Sequence, residues 1–140
     1  MLTGNRDANL LILSNLDDKS LLNFCTVDKA ANELCKNESF WLNRFINKYG
    51  SLYRTFKTPE KSWREFYLQT IYFLDKYEQE TVPIQKMIQE AANGGMRNLD
   101  IIKFLITYNH SNWRFVAPSG IIGAKEGGHK ELEELFRERS

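Results

Sequence analysis

Ala92-Asn93-Gly94-Gly95, followed by Leu99-Asp100-Ile101-Ile102-Lys103-Phe104-Leu105, returns later as Ala124-Lys125-Glu126-Gly127-Gly128 and then His129-Lys130-Glu131-Leu132-Glu133-Glu134-Leu135-Phe136. In each copy an apolar stripe of helical period stops at a glycine pair, and a second stripe begins just beyond it. The copies are 33 residues apart at Gly94 and Gly127, and 31 apart at Leu105 and Phe136, because Met96-Arg97-Asn98 lengthens the first turn. A helix–turn–helix unit used twice predicts an all-α fold for this part of the chain.

Working outward, the same punctuation recurs. Pro83 opens a helix over 84–93, Asn98 is placed to cap the next one over 99–108, and Pro118-Ser119 reads as the start of another, followed by a last helix over 129–139. Upstream, Thr58-Pro59-Glu60 reads as a helix start, with Trp63, Phe66, Tyr67, Ile71, Leu74 and Tyr77 at three- and four-residue spacing beyond it. Asn37 caps a stripe of Phe40, Trp41, Leu42, Phe45, Ile46 and Tyr49 that ends at Gly50. Shorter helices are expected over 20–25 and 28–36, and the apolar run from Asn9 to Leu16 fits either a short helix or a buried strand. The expected organisation is a helical cluster over 1–50, a connector with an aromatic helix over 51–80, and two helical hairpins over 81–140.

Composition bounds the function. Of 140 residues, 42% are hydrophobic, enough to build a core, and the formal net charge is only +1. Lys/Arg and Asp/Glu balance in each third of the chain, so no basic stripe marks a nucleic-acid binder. Cys25, Cys35, His110 and His129 lack the spacing of a metal site, and the two cysteines are expected as buried, reduced thiols. No phosphate loop, dinucleotide fingerprint or nucleophile elbow occurs, which predicts neither enzymatic activity nor a cofactor. The residues from Met1 to Arg6 lack the layout of a signal peptide, and the longest apolar run, Leu10 to Leu13, is far short of the ~20 residues that span a bilayer. These readings predict a soluble intracellular protein.

With the helices placed, the N-terminal third resembles an F-box. Ile12-Leu13-Ser14-Asn15-Leu16-Asp17, Leu21-Leu22, Val27-Asp28-Lys29 and Glu38-Ser39-Phe40-Trp41 fall at positions of that motif. The chain departs from it at Gly4-Asn5, where the motif has Leu-Pro, at Asp28 in place of Cys, and at Ala31 in place of Trp. The two hairpins are similar to degenerate ankyrin repeats, with Gly127-Gly128-His129 the closest match. An F-box-like start joined to ankyrin-like repeats resembles a family abundant in large DNA viruses of amoebae.

The resemblance implies a substrate-recruiting subunit that binds the Skp-type adaptor of a cullin–RING ubiquitin ligase, in the cytoplasm (of the host, for a viral protein) or the nucleus. The adaptor-binding candidates are Leu10, Leu11, Ile12, Leu13, Leu16, Leu21, Leu22 and Val27, which the alternative reading packs against the fourth helix. Asn112, Trp113, Arg114 and Phe115, expected in an inter-hairpin loop, are candidates for holding an unidentified protein target, or else tuck back onto the hairpin. The departures at Gly4-Asn5 and Ala31 motivate a second reading, a self-associating scaffold that keeps the fold without binding the adaptor.

Overall fold

The computed structural model describes Leu2 and residues 4–140, so the reading of the N-terminus at Met1 and Thr3 lies outside the described residues. The described residues are all-helical: nine α-helices, two short 3-10 turns and no strand. The run from Asn9 to Leu16, open between helix and strand, lies mostly in a helix. Contacts divide the chain into two compact units, one made of residues 1–54 and 62–67, the other of 55–61 and 68–140.

The first unit holds α1 (Arg6–Ser14), α2 (Asp18–Val27), α3 (Lys29–Leu34), α4 (Glu38–Tyr49) and the first five residues of α5 (Trp63–Lys76). Each of the first four helices begins at an Asx side chain that accepts a backbone N–H three residues on. Asn5 takes Ala8 at 2.9 Å, Asp17 takes Ser20 at 2.7 Å, Asp28 takes Ala31 at 2.9 Å and Asn37 takes Phe40 at 3.1 Å. Such caps contribute about 1 kcal/mol each, which matters for helices this short. Gly50 closes α4 with φ of 99°, where a side chain would be strained. The core is aromatic: Phe45 packs on Tyr49, Trp63 and Phe66 with ring centroids 5.1–5.5 Å apart, and Trp41 meets Tyr67 at 5.6 Å.

Two expectations are corrected here. Cys25 and Cys35 are not reduced thiols. They are fully buried and joined in a disulfide, with Cα atoms 6.0 Å apart, because α2 and α3 fold back on one another about Asp28. The aromatic helix begins at Trp63 rather than near Pro59, since Ser62 supplies the cap, its Oγ accepting the Glu65 N–H at 3.0 Å. The Glu38 carboxylate takes the Trp63 N–H in addition.

The second unit is built on α6 (Pro83–Asn93), α7 (Leu99–Tyr108), α8 (Trp113–Glu126) and α9 (Lys130–Glu138), with residues 68–76 of α5 and the 55–61 segment. Pairs α6–α7 and α8–α9 are the expected hairpins, and α6 packs most extensively on α8. Gly123 permits that approach: a Cβ there would fall 2.0 Å from the Gln89 carbonyl oxygen. Helix α8 starts five residues before the expected Pro118. Asn112 caps it by accepting the Phe115 N–H at 2.9 Å, and Pro118 is carried inside at the loss of one backbone hydrogen bond. Asn98 does not cap α7. Its amide donates to the Ala91 carbonyl at 2.9 Å and its oxygen accepts from Gln69, while Asp100, just inside α7, accepts the Ile101 N–H.

The same Asp100 is fully buried and forms an ion pair with buried Lys61 at 2.7 Å, whose Nζ also donates to Gln69 at 2.7 Å. The Thr58 N–H completes the carboxylate's shell, so the 55–61 segment is tied to the start of α7 from within. Lys61→Met alone leaves a buried carboxylate without its counter-charge and is expected to cost about 3–5 kcal/mol in denaturant unfolding, whereas Lys61→Met with Asp100→Leu recovers most of that loss. Gly123→Ala is expected to destabilise by roughly 1–3 kcal/mol in the same assay, because the α6–α8 approach must widen.

Candidate functional site

Burial sorts the eight apolar candidates of α1 and α2. Leu13 and Leu21 are completely buried core residues. Leu10, Ile12, Leu16 and Leu22 are half-buried, so part of each side chain meets solvent. Leu11 and Val27 are 66% and 72% exposed, far beyond what helix packing requires of a large apolar residue. The set therefore divides, with two residues in the core and two outside it.

What holds this surface in place is a charged network the sequence did not single out. The Arg44 guanidinium of α4 donates to the Leu16 carbonyl at 2.6 Å and lies 3.5 Å from the carbonyls of Leu13 and Ser14. It thus gathers carbonyl oxygens at and just beyond the negative end of α1. Its other face donates to Asp18 at 2.9 and 3.0 Å, and Lys48 and the Tyr67 hydroxyl donate to the same carboxylate at 2.9 and 2.6 Å. The role of Arg44 carries no local sequence signal, because the carbonyls it serves are fixed by the α1–α2 turn.

Partial burial works against ionised Asp18, but the hydrogen bonds from Tyr67, Lys48 and Arg44 outweigh it and hold its carboxyl below the usual range. Burial, together with the bond to Asp18, keeps the Tyr67 hydroxyl protonated far above the ordinary tyrosine range. An open depression of about 300 Å³ lies here, lined in part by Asp18, Arg44, Asn47 and Lys48. Three of its charged groups, Asp18, Arg44 and Lys48, are paired with one another.

The target-binding candidates also divide. Asn112 is the α8 cap, and Trp113, Arg114 and Phe115 form the helix's first turn instead of a loop. Trp113 tucks back: its ring lies 5.4 Å from that of Phe136, and Arg139 sits 4.8 Å above it. Phe115 turns outward at 47% exposure and Arg114 is exposed. The His129 Nε2–H donates to the Asn93 carbonyl at 2.9 Å, joining the two hairpins. A second surface cluster forms where the Glu90 carboxylate accepts from Tyr72, Tyr77 and Lys76. Burial opposes its ionisation, and the bonds from Lys76 and the tyrosines still hold it below the usual range.

Among the described residues no group of His, Cys, Asp and Glu is arranged to hold a metal ion, and no described helix is long and apolar enough to cross a membrane. Comparison with known protein families, curated proteins and solved structures finds no match.

Because Asp18 titrates lower in the folded chain than unfolded, its contribution to stability is present above the ordinary carboxylate range and drains away as pH falls through the depressed folded value. Tyr67→Phe and Lys48→Ala each remove a donor, so both are expected to move the Asp18 titration upward in a carboxyl NMR titration, and to make its contribution to stability smaller and fully lost at a higher pH.

Proposed function

We propose that this chain is a non-catalytic protein-interaction adaptor: an F-box-like, substrate-recruiting subunit that docks on a Skp-type adaptor of a cullin–RING ubiquitin ligase. The observation that carries the reading is the exposure of Leu11 and Val27, large apolar side chains left in solvent on the two helices that carry the first part of the motif. The motif resemblance at Ile12 to Asp17, Leu21-Leu22 and Trp41 supports it, as do four short capped helices over residues 6–49. Docking is by apolar contact without a cofactor, inside the cell where such ligases work, and the ubiquitin chemistry belongs to other subunits. The second unit, with its ankyrin-like hairpins, offers Arg114 and Phe115 to the target.

A second reading, a scaffold that keeps the fold without the adaptor, draws on Ala31. It is fully buried where the motif carries a tryptophan, so that position offers no large side chain to a partner.

Size-exclusion light scattering of the chain mixed with a eukaryotic Skp-type adaptor separates the two. One-to-one co-elution is expected, with Leu11→Asp and Val27→Asp each weakening binding by roughly thirty-fold or more while leaving the helical circular dichroism unchanged. Separate elution of well-folded wild-type chain and adaptor contradicts the ligase reading and leaves the scaffold.

A further inference from the structure

The disulfide sits at an unusual place for a simple staple. Cys25 lies in the last turn of α2 and Cys35 at the end of α3, and both are fully buried. Their backbones are held independently of the sulfurs. The Cys25 carbonyl accepts from the Asn32 amide at 3.1 Å, and the Cys35 carbonyl accepts from the buried Trp41 indole N–H at 2.7 Å. The Cys35 N–H donates to Ala31 at 2.8 Å, and Asp28 caps α3 between the two cysteines. Four hydrogen bonds therefore hold the α2–α3 corner in addition to the disulfide.

We propose that Cys25 and Cys35 form a reversible dithiol–disulfide pair that sets the rigidity of the α2–α3 corner according to redox conditions. The corner's outer side carries Val27, Lys29 and Ala30, all exposed, so the pair tunes a surface rather than a cavity. The inference concerns the corner itself and holds whatever partner, if any, that surface meets.

The chemistry balances through exchange with a low-molecular-weight disulfide such as glutathione disulfide. One cysteine thiolate attacks a sulfur of that disulfide, forming a mixed disulfide and expelling one thiolate. The second cysteine, deprotonated, attacks the protein sulfur of the mixed disulfide and expels the other thiolate. Two protein thiols are oxidised, one small disulfide is reduced to two thiols, and the protons pass to the expelled thiolates. With both sulfurs fully buried, each exchange proceeds through a local opening of the corner.

The test uses the full chain equilibrated in glutathione buffers of graded ratio, then alkylated and weighed, with hydrogen–deuterium exchange and thermal unfolding on the end states. Under oxidising buffer the mass is expected to fall by about 2 Da with no alkylation, and under reducing buffer two alkyl groups are expected. Reduction is expected to keep the helical circular dichroism, to lower the melting temperature by roughly ten degrees, and to speed exchange over residues 22–37 while leaving 84–106 unchanged. A Cys25→Ala, Cys35→Ala double variant is expected to lose all redox response. Any of three results overturns the proposal: thiols that stay reduced in glutathione disulfide, loss of helical structure on reduction, or exchange at 22–37 that is the same in both states.

Discussion

Short helices create a polar debt at their ends, and meeting it is the constraint on which this structure depends. Helices of six to fourteen residues expose four unpaired N–H and four unpaired C=O groups at each pair of termini, a large share of their backbone. The chain answers with Asx caps on α1 to α4 and α8, a serine on α5, and long charged side chains where the ends are crowded. Arg44 gathers the carbonyls after α1, Glu38 takes the first N–H of α5, and buried Asp100 serves the start of α7 while neutralising Lys61. Apolar burial then supplies the driving force, but these side chains select which ends meet.

The same constraint explains what the sequence revealed. Caps of the form Asx-x-x are local, so Asn37, Gly50 and the two glycine pairs were readable residue by residue, and the all-α class with them. The errors arose where two local signals competed or where a partner from another turn decided the outcome. Pro118 looked like a helix start because its ring forbids one backbone bond, yet Asn112 and the packing of Val116, Ala117, Gly120 and Gly123 extend α8 through it. Asn98 looked like a cap, but the Ala91 carbonyl claims its amide. The cysteine pairing depends on the α2–α3 fold-back, which a ten-residue spacing alone does not convey.

For the candidate surface, helical periodicity identified an excess of apolar residues in α1 and α2 but not its division. Leu10 to Leu13 are four consecutive apolar residues, and consecutive residues on a helix point in different directions, so one had to face out. Which one depends on where α4 lies, and that placement sends Leu13 inward and Leu11 to solvent. Trp113 shows the converse: of its two readings the tucked-back one holds, because Phe136 of α9 and Arg139 just beyond it cover the ring, while Phe115 turns outward.

The proposed adaptor role makes a spatial claim, that the partner meets the N-terminal unit and not the paired hairpins. Hydrogen–deuterium exchange of the full chain with and without a Skp-type adaptor reads this directly. The account predicts new protection confined to α1–α3, with exchange in α6–α9 unchanged. Protection centred on α8, or none at all at saturating adaptor, would contradict it.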